Sequence, residues 1–208
     1  MRELSKIDQL IQKIDFVCQK KAKPDSYHPI SYDLRKDQCL STTEKDLSGK
    51  LMRVNLCGEV CAQGLYFGQA LGGHSKEVIA QMNQCAEEEE EHFYWCLQRL
   101  QELNTSTSSL ASIWFLASCA MGYSVARLGD EISLGFLEET ERQVGKHLEQ
   151  YIRKLPAKDS NSRSIMEQMY LDETQHAEKA KQLGAQNIPK AGKALMKTMG
   201  TIMKMLSY

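Results

Sequence analysis

The chain has 208 residues, 42% of them hydrophobic and 25% charged, which suits one generous soluble globular domain. Its 26 Lys and Arg offset 27 Asp and Glu to a net charge of -1, so no whole-chain basic field argues for a nucleic-acid partner. With 13 Gly, 4 Pro and 7% aromatics set among long runs of Leu, Met, Gln, Glu and Lys, an all-β fold is close to excluded and an all-α one is favoured.

Leu4, Ile7, Leu10, Ile11, Ile14 and Val17 recur at spacings of three and four, predicting an amphipathic helix over residues 4–18. The opening Met1-Arg2-Glu3-Leu4-Ser5-Lys6 leads into no apolar signal-peptide core, and the seven cysteines form no C-x-x-C pair. Reduced thiols in a cytoplasmic protein are expected, acting as small buried hydrophobes. From Lys21 to Leu40 the pattern dissolves around Pro24 and Pro29, with His28 as a loop residue, so residues 1–40 read as a helical arm and linker.

Ser41-Thr42-Thr43-Glu44 is a capping box announcing a long helix that runs to the Gly72-Gly73-His74 turn, where His74 reads as a plain turn residue. A second helix spans Ser75 to about Leu103. The apolar stretch from Leu110 to Leu128 is interrupted by Ser112, Ser118, Gly122 and Ser124. It falls short of the roughly 20 clean apolar residues that a bilayer core demands, so a buried or interfacial crossover helix fits it better. Further helices cover Asp130 to Leu155, ended by Pro156, and Ser162 to Leu183, ended by Gly184 and Pro189. In the tail, Leu195, Met199, Ile202 and Leu206 share one face among Lys190, Lys193, Lys197 and Lys204, and no acid follows Glu178. This basic amphipathic segment, residues 184–208, suits either a membrane surface or the protein body.

Certain acids fall on apolar faces. Glu141 completes the stripe Leu134, Leu137, Val144, Leu148, Ile152 and Leu155, and Glu173 with His176 completes Ile165, Met169, Ala180 and Leu183. Glu89 and His92 join Ile79, Met82, Leu100 and Leu103, while Glu59 joins Leu51, Ala62, Leu65 and Gln69. Four unpaired buried carboxylates would strongly oppose folding, and no Lys or Arg shares these stripes at the same level. Metal remains. Two divalent cations neutralise the four carboxylates, which points to a dinuclear centre held by Glu59, Glu89, His92, Glu141, Glu173 and His176.

The spacing agrees: a lone Glu followed by Glu-x-x-His recurs at an offset of 82 to 84 residues, so residues 41–183 contain two copies of one helical hairpin. Each ligand lies about 15 or 16 residues from its turn, roughly 22 to 24 Å along its helix. A Glu from two helices and Glu-x-x-His from two others is the ligand set of ferritin-like di-iron and di-manganese bundles. The expected fold is therefore a ferritin-like four-helix bundle of two hairpins, with an apolar crossover helix and a C-terminal amphipathic helix. In the Glu87–Glu91 run only Glu89 takes a ligand role, and the rest read as solvated surface. His147, six residues beyond Glu141, reads either as a partner of a ligand carboxylate or substrate, or as a boundary histidine.

The string Arg53-Val54-Asn55-Leu56-Cys57-Gly58-Glu59-Val60-Cys61-Ala62-Gln63-Gly64-Leu65-Tyr66-Phe67-Gly68-Gln69 resembles the demethoxyubiquinone hydroxylases of ubiquinone biosynthesis. So do Glu89-x-x-His92, Ser133-Leu134-Gly135-Phe136 and Asp172-Glu173-Thr174-Gln175-His176, and the proline-containing arm is similar to the bacterial branch. The resemblance implies that the six residues hold two irons, with Glu89 and Glu173 bridging. It also implies an O2-dependent monooxygenase hydroxylating a polyprenyl demethoxyquinol ring, with Tyr66 as a candidate lining of the ring pocket. Electrons would come from the quinol or from NADH, though no G-x-G-x-x-G nucleotide motif is present. The implied setting is peripheral, on the cytoplasmic face of the cell membrane, alone, as a homo-oligomer or within a ubiquinone-biosynthesis complex. Leu56 departs from the family, which usually carries His there. Competing readings are another ferritin-like oxidant, such as a tRNA hydroxylase or peroxidase, and a non-catalytic metal-binding scaffold.

Overall fold

The computed structural model describes residues 5–19 and 40–208, and every regular element among them is helical. In order these are α1 (Lys6–Gln19), α2 (Thr42–Gly72), α3 (Lys76–Glu102), α4 (Ala111–Ala126), α5 (Asp130–Lys154), α6 (Ser160–Gln182) and α7 (Lys190–Ser207). The linker expected over residues 21–39, with Pro24, His28 and Pro29, lies outside the described residues.

The starts of the bundle helices are written locally. The Ser41 hydroxyl accepts the Glu44 N–H at 3.3 Å while the Glu44 carboxylate accepts the Ser41 N–H at 2.8 Å, closing the capping box of α2. Ser75 caps α3 by accepting from the Val78 N–H, and Asp159 caps α6 by accepting from the Ser162 N–H.

Helices α2 and α3 form one hairpin and α5 and α6 the other. Asp130, at the head of α5, accepts the His74 and Ser75 N–H groups at 3.0 and 2.8 Å, so the first hairpin's turn sits beside the start of the second hairpin. At the far end Arg99 of α3 reaches Asp159 at the start of α6. The two hairpins therefore point in opposite directions. Residues about half a helix from either turn still meet at the same height, and this preserves the level predicted from spacing.

Helix α4, in the connection between the hairpins, packs along the C-terminal half of α2. The approach is close enough that a Cβ on Gly68 would sit 2.1 Å from the Cys119 carbonyl oxygen, and one on Gly122 would sit 2.1 Å from that of Leu65. Only glycine permits such backbone proximity. No helix among the described residues is long and apolar enough to cross a membrane.

The core is two apolar clusters stacked along the bundle. One gathers Leu51, Leu56, Phe93, Leu100, Leu148 and Ile165, and the other Leu65, Met82, Leu134 and Leu137. Leu56 is thus a packed core residue. From α1, Leu10 and Ile14 pack on the first cluster, and the Lys13 ammonium donates to Gln63 and Glu90. Cys57, Cys85 and Cys96 are buried, Cys61 and Cys119 partly so, and all five are free thiols. Burial pushes Cys85 up to about 11 and Cys61 up to about 12, as inert packing thiols require.

Candidate metal centre

All six sequence-selected residues converge at mid-bundle. None of Glu59, Glu89, Glu141 and Glu173 is more than 3% exposed, and His92 and His176 are equally enclosed. Ligand atoms of Glu59, Glu89, His92 and Glu173 lie within 4.8 Å of one another, as do those of Glu89, Glu141, Glu173 and His176. Glu89 and Glu173 belong to both groups.

Both imidazoles turn Nδ1 inward. His92 Nδ1 is 3.1 Å from Glu89 and 3.6 Å from Glu173, and His176 Nδ1 is 3.5 Å from each of the same two residues. Each outward Nε2 meets another carboxylate across the hairpin boundary: His92 meets Asp172 of α6 at 3.1 Å, and His176 meets Glu88 of α3. Such outer carboxylates orient a ligand histidine and fix its tautomer. Glu88 reads from sequence as solvated surface, and Asp172 enters there only as part of a family-like string, with no role of its own. The detectable signal was an acid immediately before each Glu-x-x-His.

Burial pushes the Glu59 carboxyl well above the ordinary carboxylate range, and the adjacent Glu89 charge adds to the shift. Burial followed by the Glu173 charge raises Glu141, and burial followed by the Glu89 charge raises Glu173. At Glu89 burial acts in the same direction but is outweighed by His92 and His176, which hold that carboxyl below its ordinary value. For both imidazoles burial opposes protonation, yet the surrounding carboxylates raise them. The site is thus a dry concentration of negative charge.

Glu59 Oε2, Glu89 Oε1, Glu173 Oε2 and His176 Nδ1 are buried without a hydrogen-bond partner. Acceptors orphaned together in one place suit cations rather than protein donors. Hard carboxylate oxygens with one imidazole per group form a donor set compatible with a di-iron site, as they would be with manganese. The exception among the acids is Glu141, which accepts a hydrogen bond from the Tyr66 hydroxyl. Tyr66 thus contacts a candidate ligand directly.

A cavity of about 520 Å³ opens from Glu59, Glu89, Glu141 and Glu173 between α2, α4, α5 and α7. Its walls include Ala62, Leu65, Met121, Phe136, Val144 and Met196, so it is mainly apolar, with the carboxylates at its inner end, lysines near α7 and a few uncharged polar groups such as Asn55 and Gln143 between them. His147 lines this cavity, its ring tilted against Tyr151 with centroids 3.8 Å apart. Burial, reinforced by Lys204 and Lys154, pushes His147 down to about 3, so it is neutral at ordinary pH. It touches no candidate ligand.

An all-helical bundle enclosing four carboxylates and two histidines at mid-height belongs to the ferritin-like class of carboxylate proteins. A bacterioferritin-related protein from Bacteroides fragilis, described as a dodecameric thioferritin, has a similar fold, with a TM-score of 0.58, 19% identity, and coverage of 72% of this chain and 89% of that one. Within the class, residues 46–207 match the model of the family described as ubiquinone biosynthesis protein COQ7, and the chain belongs to that family. Its relatives include proteins named 3-demethoxyubiquinol 3-hydroxylase. That of Francisella philomiragia subsp. philomiragia is 38% identical over 214 residues, and that of Francisella tularensis subsp. novicida 41% over 211; each alignment covers 100% of this chain and 99% of the relative.

Proposed function

We propose that the chain is an O2-dependent 3-demethoxyubiquinol 3-hydroxylase working through two irons held by Glu59, Glu89, His92, Glu141, Glu173 and His176. The observation that carries this reading is the paired carboxylate–histidine group opening directly into an apolar cavity of about 520 Å³. That volume lies within the range of small-molecule sites, roughly 300 to 1,000 Å³. Glu89 and Glu173 belong to both groups, so they are the residues that would serve both ions.

When bound, two ferrous ions supply two electrons and open coordination positions for oxygen chemistry. The protein's part is positional. Buried carboxylates and the outer partners Asp172 and Glu88 fix the ligand geometry, and the Tyr66 hydroxyl holds a proton on one oxygen of Glu141. The apolar walls exclude bulk water and admit the quinol ring, with its prenyl chain leading out past α7. Overall, one oxygen atom of O2 enters the ring as hydroxyl, the other leaves as water, and two electrons with two protons come from the quinol, or from NADH together with one proton from solvent.

Association with the cytoplasmic face of the cell membrane follows from the substrate and is supported by the outer surface. Leu195, Ile202, Met205 and Leu206 of α7 point outward and are exposed, and Ile113, Leu116 and Tyr123 of α4 are exposed as well. An amphipathic helix with its apolar face turned outward among lysines suits an interface between lipid and water.

Reduced protein loaded with iron is expected to add one labelled oxygen from O2 to the ring of a demethoxyquinol. Unlabelled product, or no product while the iron is oxidised, would refute the assignment. Glu173→Ala should abolish turnover, whereas a metal-binding scaffold would retain its role in vivo.

A further inference from the structure

One buried polar side chain beside the cavity takes no part in the carboxylate cluster. Asn55 of α2 is 3% exposed, stands one helical turn before Glu59, and lines the cavity beside it. Neither its carboxamide oxygen nor its nitrogen has a hydrogen-bond partner within the protein. Across the cavity on α4, the Trp114 indole Nε1 is likewise without a partner and lines the same space. The site thus combines two donors and one acceptor, on two different helices, next to a candidate metal ligand.

A buried amide without a partner forfeits its hydration with nothing in return, so native proteins rarely leave one. Outside the carboxylate cluster, other amides and hydroxyls near the centre each make at least one hydrogen bond, although Gln69 Oε1 has no partner. Gln63 donates to the Ala86 carbonyl at 2.7 Å, Gln69 donates to the Ser133 carbonyl at 2.8 Å, and Tyr66 donates to Glu141. Nothing in the helix explains Asn at position 55, since its neighbours along the chain, Leu51, Val54 and Leu56, are all buried in the apolar core. An aliphatic side chain would serve packing better.

A reduced ring carrying a hydroxyl beside a methoxy group presents one donor and neighbouring oxygen acceptors, which complements an amide. We propose that Asn55, assisted by Trp114, is the ring-binding element of the site: the Asn55 oxygen accepts from a ring hydroxyl, while its NH2 and the Trp114 N–H donate to ring oxygens. The inference rests on the hydroxylase reading and deepens it by identifying what orients the ring. Because Asn55 precedes Glu59 by one turn of a rigid helix, a ring held there presents its edge to the carboxylate cluster. The amide then favours the reduced ring, whose hydroxyl can donate, over a quinone, which offers acceptors only.

The test uses the full chain and a short-tailed demethoxyquinol, with an analogue in which the methoxy group is replaced by ethyl. Asn55→Leu is expected to leave the thermal midpoint of the metal-free chain unchanged or raised, because a buried polar group is removed. Quinol binding and KM should weaken roughly ten- to hundred-fold, with a smaller effect from Trp114→Phe. Wild-type protein should bind the ethyl analogue more weakly than the quinol, and Asn55→Leu should not distinguish them. Equal affinity of the variant and the wild type for both compounds would overturn the assignment. Should Asn55→Leu fold poorly, the wild type alone decides, since indifference to the methoxy group removes the basis for a ring-binding amide. Wild-type protein that binds no quinol would instead bring down the hydroxylase reading itself, a distinguishable result.

Discussion

Asp172 and Glu88 act through the histidines they touch. Each lies one residue before a candidate ligand, yet each serves the histidine of the opposite hairpin, so two adjacent acids on one helix have separate tasks. Replacing Asp172 by Asn keeps a hydrogen-bonding group but removes the charge behind His92. Anaerobic titration is expected to show iron affinity reduced roughly 10- to 100-fold. An unchanged isotherm would mean that Asp172 is only surface. His147 gives a second residue-scale prediction. Its folded pKa, pushed down to about 3 by burial and by Lys204 and Lys154, is below that of an unfolded histidine, near 6.5. The unfolded chain therefore binds the extra proton, and the stability advantage of neutral His147 is present above 6.5 and declines as pH falls below it. Between about pH 6.5 and 5.5 the wild type should lose up to roughly 1.4 kcal/mol relative to His147→Gln, as read from urea midpoints. Parallel curves for the two proteins would contradict this.

At the scale of elements, the contact between α2 and α4 depends on missing side chains. In an unconstrained helix Gly→Ala stabilises by about 0.5–1 kcal/mol. At Gly68 the new methyl would meet the Cys119 backbone at 2.1 Å, whereas at Gly58 nothing lies within 4 Å. The same substitution should thus have opposite signs on one helix: Gly68→Ala is expected to destabilise by about 1–3 kcal/mol and Gly58→Ala to stabilise. Thermal unfolding of the two variants decides it, and a stabilised Gly68→Ala would show that α4 is not held against α2 this closely. Helix α7 is fixed differently, by polar contacts. Lys193 reaches Glu139 at 2.8 Å, and Gln143 donates to the Lys193 carbonyl. These contacts hold one flank of α7 to the body and leave its apolar residues facing outward.

For the whole molecule, the relation between the two inverted hairpins is set at one end by Arg99. Its fully buried guanidinium bonds Asp159 at 2.9 Å and Ser162 at 2.8 Å, joining the end of α3 to the cap of α6. Removing one partner of a buried pair leaves the other charge stranded, which typically costs 3–5 kcal/mol. Arg99→Leu is expected to lower unfolding free energy by about that amount, with much of the loss recovered when Asp159→Ser is added. A single-variant loss below about 1 kcal/mol would mean the pair is dispensable.

The chain alone determined the helices, the capping box of α2 and the six converging residues, because these follow from local chemistry and a period of 3.6 residues. Glu59, Glu89, Glu141 and Glu173 were legible as displaced from solvent, since a carboxylate on an apolar stripe violates the pattern around it. What required the tertiary structure was everything arising between distant segments. The opposed hairpin directions, the seating of α4 on Gly68 and Gly122, and the Arg99–Asp159 tie all join residues with no shared periodicity. Glu88 illustrates the limit most directly: in sequence it is one more acid in a run of five, and only the approach of α6 gives it a histidine to hold. The sequence specified which side chains must leave water, and the packing of two inverted hairpins decided which of them meet.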